Sequence, residues 1–118
     1  MCLFCKIVDK EIPANIELED ENFLAFHDIN PKAPVHILVI PKKHVAGFNE
    51  VDAQTMADIT PFIQTLVQKL DIKQSGYRLI CNIGENGGQE VMHLHWHVLG
   101  GAKLKFDHLS DADPKDFL

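Results

Sequence analysis

The stretch His93-Leu94-His95-Trp96-His97-Val98 decides how the rest of the chain is read. In an extended strand alternate side chains point to opposite faces. Leu94, Trp96 and Val98 then form an apolar face that packs inward, and His93, His95 and His97 form the other. Imidazoles two positions apart on one face start about 6.6 Å from each other. Packing has little use for such a row. Chemistry has two. Histidines at i and i+2 can bind zinc, although a catalytic zinc needs a third ligand and an open position. A neutral imidazole can instead attack phosphorus or a carbonyl carbon and form a covalent intermediate. Its second nitrogen must then be held by a polar group, and flanking histidines can manage protons near neutral pH.

Immediately upstream, Asn82 and Gly87-Gly88-Gln89 point to phosphate. Glycines let the backbone approach a ligand closely and offer N–H donors to an anion. Such local donors matter here, because the chain carries 11 Lys+Arg against 17 Asp+Glu, a formal net charge of -6. An acidic surface of this kind argues against non-specific binding to nucleic-acid polymers, which depends on clustered cations.

The remaining sequence frames this strand. Leu3 to Asp9 reads as a short helix. Ile16 to Glu19 and Phe23 to His27 read as strands joined by the polar turn Glu19-Asp20-Glu21-Asn22. Asn30-Pro31-Lys32-Ala33-Pro34 is a loop. Val35 to Ile40 is a β-branched strand buried on both faces and ended by Pro41. From Asp52, a suitable N-cap, to Leu70 the apolar residues Met56, Ile59, Ile63, Leu66, Val67 and Leu70 share one helical face. Their phase continues through Pro61, which predicts one kinked helix and not two. Tyr77 to Asn82 and Val91 to Leu99 complete the strands, and a polar tail follows from Lys103. The expectation is one α+β domain over residues 1–118, with its core in 3–101 and a tail in 102–118. It has a mainly antiparallel five-stranded sheet, one long helix and one short N-terminal helix.

At 118 residues, 46% hydrophobic and 24% charged, the composition is that of a soluble globule able to bury roughly two-thirds of its unfolded surface. No apolar run approaches the ~20 residues that span a bilayer, so no membrane partner is expected. Met1-Cys2-Leu3-Phe4-Cys5-Lys6 lacks the pattern of a secretory signal. Three cysteines are too few for a disulfide scaffold, which points to a reducing cytoplasm.

The run from Gly87 to Gly101, with Lys10-Glu11-Ile12-Pro13, Ala25 to Pro31, Ala33-Pro34-Val35-His36 and Ile40 to His44, resembles the Hint-like branch of the histidine-triad (HIT) superfamily. The resemblance spans about Leu3 to Gly101. It implies a homodimer whose two sheets join into one. It implies a phosphoramidase that cleaves purine nucleoside 5′-phosphoramidates, such as AMP-NH2 or lysyl-linked AMP, with no metal required for catalysis. Carried over, His95 is the nucleophile on the α-phosphorus, His93 and His97 orient it and assist proton transfer, and His36 sits beside them. Asn82, Gly88, Gln89 and Glu90 lie at the phosphate, with Asn82 and Gln89 contacting its oxygens. Asp28 accepts from the two ribose hydroxyls, a role suited to a carboxylate. Leu3, Phe4, Ile7, Phe26, Ile29 and Leu38 line a purine slot, as apolar walls suit a base.

Three features stand apart. Position 90 is Glu, where many eukaryotic relatives carry a serine that helps the leaving group, so the sequence is nearer to bacterial-type relatives. Phe106 falls where some relatives place an aromatic that reaches the partner's site. In some members a cysteine pair like Cys2 and Cys5 joins two histidines, here His44 and His93, in a structural zinc site, a sound tetrahedral donor set. The alternative for this pair is two small apolar side chains. Read from the residues alone, Phe26 and Leu38 are equally core, and Asp28 equally a turn former. A nucleotide-binding regulatory module and a dinucleoside polyphosphate hydrolase of the same superfamily are the competing functions.

Overall fold

The computed structural model describes residues 2–117, so Met1 and Leu118 of the expected 1–118 domain lie outside it. The fold is α+β. Helix α1 (Leu3–Val8) is followed by strands β1 (Ile16–Glu19), β2 (Phe23–His27) and β3 (Val35–Pro41), then by helix α2 (Ala53–Lys69) and strands β4 (Tyr77–Ile80) and β5 (Trp96–Gly100). Short 3₁₀ turns occupy Phe48–Glu50 and Pro114–Phe117. The sheet order is β1-β2-β3-β5-β4, and every neighbouring pair is antiparallel.

Strand alternation sorts the side chains into two layers. Ala25, Ile37, Val39, Trp96 and Val98 face α2, which lays Ile59, Phe62, Ile63, Leu66 and Val67 against them. Asp52 caps α2 by accepting from the Thr55 N–H at 2.8 Å. The helix is unbroken through Pro61, as the continuous apolar phase predicts. On the opposite face, Leu24, Phe26, Leu38 and Ile40 meet Phe4 and Ile7 of α1. Leu38 pairs with His97 and His36 with Leu99, so the histidine chemistry lies on the α1 face.

Strand β5 is shorter than the expected Val91 to Leu99, and Pro41 explains why. The Lys42 N–H donates across to Asn22 on the β2 side, so by alternation position 41 faces β5. Val39 pairs with Trp96, which makes Leu94 the next partner in line for position 41. Proline has no N–H to give, and its carbonyl accepts instead from the His93 imidazole at 2.8 Å. The Leu94 N–H turns away to Val45 at 2.7 Å. The ladder therefore opens at Trp96, and residues 91–95 run as irregular chain over the sheet. Strand β4 stops at Ile80, opposite His97, two residues short of the expected Asn82.

Candidate active site

The α1 face of the sheet opens into a cavity of about 1330 Å³. Phe4 and Ile7 from α1, with Phe26 and Leu38 from the sheet, form an apolar wall, and Ile29 stands at the solvent edge. Asp28, Asn82, Gly88 and Glu90 supply polar lining. His36, His95 and His97 reach the same cavity.

Their hydrogen-bond partners assign the tautomers. A carbonyl can only accept, so His95 Nδ1 donates to the His93 carbonyl oxygen at 2.8 Å. The neutral His95 ring then carries its lone pair on Nε2. The Lys32 backbone N–H donates to His36 Nδ1 at 3.0 Å. His36 therefore holds its proton on Nε2 and donates it to His97 Nδ1 at 2.8 Å. That leaves the His97 proton on Nε2. The His95 and His97 ring centres are 5.2 Å apart, and Phe4 stands edge-on to His95 at 5.1 Å.

Burial favours the neutral form of His36 and His97. His97 is pushed down to about 4, first by burial, then by its neighbours His95 and His36, with Asp28 opposing. His36 is lowered by burial, again against Asp28, whose Oδ2 lies 3.4 Å from His36 Nε2. The Asp28 carboxylate also has the turn-forming role, since its Oδ1 accepts from the Asn30 N–H at 2.8 Å.

The loop from Gly84 to Gly88 is built by glycines. A Cβ at Gly87 would sit 2.2 Å from the Ile83 carbonyl oxygen, and Gly88 adopts φ +82°. Asn82 Nδ2 donates to the Gly87 carbonyl at 2.7 Å. Gln89 departs from expectation: it does not line the cavity. Its amide nitrogen donates to the carbonyls of Ala46 (2.8 Å) and Val91 (3.1 Å), and its Oε1 accepts from the Gly84 N–H (3.0 Å). With all three bonds made within the protein, Gln89 braces the loop.

His93 is the second departure. Its side chain does not line the cavity beside His95 and His97. Because β5 opens before it, the ring turns beneath α1, fully buried, with Nε2 donating to Pro41. Its Nδ1 lone pair points to Cys2 Sγ (3.3 Å), Cys5 Sγ (3.6 Å) and His44 Nδ1 (3.3 Å), and Cys5 Sγ lies 3.4 Å from His44 Nδ1. Tetrahedral zinc with ordinary bond lengths sets edges of about 3.3 Å between nitrogens and about 3.6 Å between sulfur and nitrogen. The donor set fits that geometry, and the Pro41 carbonyl is the outer partner such a histidine ligand needs. Among the described residues the other potential ligand set, Asp28, His36 and His97, carries a 2.8 Å hydrogen bond between its two rings.

Sequence reading missed several cations. Lys32, Arg78, Lys103 and Lys105 line the cavity against the acids Asp28 and Glu90, a local excess of two positive charges in an acidic chain. The period-two pattern of Tyr77–Ile80 does place Arg78 and Ile80 on one side. Arg78 also donates to the Lys105 carbonyl at 2.8 Å and packs 5.5 Å from the Phe106 ring, so Phe106 rests on its own chain. No local signal announces this return of the tail.

The chain matches the HIT domain model over residues 9–104. It is 54% identical to a HIT-like protein of Helicobacter pylori, covering 87% of this chain and 99% of that one. Among solved structures it resembles a HIT family hydrolase from Legionella pneumophila (47% identity, TM-score 0.86, 90% of this chain and 97% of that one). It also resembles a histidine triad nucleotide-binding protein from Candida albicans (31% identity, TM-score 0.82, 99% and 89%). Among the described residues no helix is long and apolar enough to cross a membrane. With the histidines, the sheet and these matches in agreement, the chain belongs to the HIT domain family.

Proposed function

We propose that the protein hydrolyses purine nucleoside 5′-phosphoramidates, such as AMP-NH2 or lysyl-linked AMP, through a nucleotidyl intermediate on His95. One observation carries this reading: His95 is fastened through Nδ1 to a backbone carbonyl, which leaves Nε2 as a nucleophile in a cavity with an apolar wall. Nε2 attacks the α-phosphorus, the P–N bond breaks, and the leaving nitrogen takes a proton. Water then attacks the same phosphorus, and the Nε2–P bond breaks to release AMP and leave the His95 lone pair free again. The proton lost by the water replaces the one the His97 ring gave to the leaving nitrogen. The His97 Nε2–H, supported through His36, is the nearby proton source, and His93 contributes through its carbonyl. Asn82 and the Gly88 backbone lie at the phosphate, Asp28 at the ribose, and Phe4, Ile7, Phe26 and Leu38 around the base. The relatives named as a hydrolase and as a nucleotide-binding protein support this assignment.

The same reading includes a homodimer. Strand β4 is a sheet edge with Tyr77 and Leu79 exposed, and an unpaired edge of this kind is a template for a second copy. It also includes structural zinc on Cys2, Cys5, His44 and His93, where the metal supplies crosslinks and no step of the reaction.

The four cavity cations favour a second substrate class, the dinucleoside polyphosphates, whose extra phosphates would meet Lys32, Arg78, Lys103 and Lys105. Incubation with a fluorescent AMP-phosphoramidate, alkaline quenching and mass spectrometry tests the first reading. An AMP adduct on His95 is expected. Turnover without any adduct, or AMP released only from dinucleoside polyphosphates, would reject it.

A further inference from the structure

Helix α1 belongs to two sites at once. Phe4 and Ile7 form the cavity wall, while Cys2 at its N-cap and Cys5 in its first turn face His44 and His93. At six residues the helix is far too short to hold itself together. It stays in place through what it packs against and what its thiols bind. His93 is likewise shared, with its ring in the thiol cluster and its carbonyl on His95 Nδ1. Phe4 touches both rings, at centroid distances of 5.9 Å to His93 and 5.1 Å to His95.

We propose that a metal ion on Cys2, Cys5, His44 and His93 is the latch that assembles the nucleotide slot. It pins α1 as the slot's wall and fixes the His93 carbonyl on which His95 is oriented. This rests on the nucleotide reading above and adds that slot and metal are thermodynamically coupled. The metal bridges α1 to chain segments 39 and 88–91 residues away, contacts that no short helix can make by backbone bonds alone. The coupling is local, because β2 and β3 carry their own core against α2 on the far face of the sheet. A nucleotide reads the fraction of molecules with the slot closed, so if α1 is docked a tenth of the time in the metal-free chain, AMP binds about ten-fold more weakly.

The test uses the full chain in zinc-loaded, chelator-stripped and zinc-refilled states. Metal content, AMP affinity by calorimetry and amide hydrogen exchange are measured on each. The expected result is one zinc per chain, with AMP binding about ten-fold weaker after stripping. Exchange should accelerate across residues 3–8 while β2 and β3 stay protected, and refilling should reverse both changes. Cobalt in place of zinc should show thiolate charge-transfer absorption that Cys5→Ser and His44→Gln weaken. Equal AMP affinity and equal α1 protection with and without metal would overturn the proposal, as would failure to take up zinc. Loss of protection throughout the sheet would also overturn it, since the metal would then be a global stabiliser. If α1 protection follows the metal but AMP binds neither state, the latch stands and the nucleotide reading falls.

Discussion

His36 Nε2 and His97 Nδ1 lie 2.8 Å apart, and the bond between them sets the protonation of both rings. His97 is held down to about 4, against an ordinary value of 6.5 in the unfolded chain. Between those two values the unfolded state binds more protons than the folded one, so stability rises with pH there. The contribution is complete above pH 6.5 and is lost as pH falls towards about 4. Urea unfolding at a series of pH values should show that slope, and His97→Gln should flatten it. An unchanged slope in the variant would show that His97 titrates normally.

Removing the nucleophile separates chemistry from binding. His95→Ala should reduce kcat on a phosphoramidate by roughly 10³-fold or more. AMP affinity should change only a few-fold, because the slot walls and Asp28 are untouched. Steady-state kinetics with calorimetry on the same preparation measures both.

The glycine loop tolerates little. Gly87→Ala places a methyl group against the Ile83 backbone, which cannot yield as a flexible side chain would. The loop must shift, carrying Asn82 and Gly88 with it. The expected result is a kcat/KM loss of about ten-fold or more with a destabilisation of about 1–3 kcal/mol, read by kinetics and thermal unfolding.

The far core answers for the sheet alone. Leu66 of α2 is fully buried against the face opposite the cavity. Leu66→Ala should cost about 2–5 kcal/mol through lost burial and the cavity left behind. AMP affinity of the molecules that remain folded should be unchanged, and denaturant unfolding with a binding isotherm would show it.

Much of this was legible because it is periodic. The three-and-four spacing from Met56 to Leu70 reports burial directly, as do the apolar runs in Phe23 to Phe26 and Val35 to Ile40, which are buried on both faces of the sheet. The shared cavity of His97 and His36 follows from alternation on β5 and β3, while His95 reaches it from the irregular chain before β5. The placements of His93 and Gln89 were not legible, since each depends on carbonyls far along the chain, at Pro41 and at Ala46. The contact of Cys2 and Cys5 with His44 and His93 has no local signature either and came only through resemblance. The cations of the tail escaped for the same reason: nothing near Lys103 or Lys105 encodes a return across Arg78.

The imino acid at position 41 has a consequence beyond ending a strand. Had that residue an amide hydrogen aimed at β5, the two strands could zip onward through 94, and His93 would be drawn up into regular pairing. Its ring would lose the oxygen that now anchors it, and the thiols of α1 would lose their deepest neighbour. One missing hydrogen thus keeps a short span of backbone free to serve side chains.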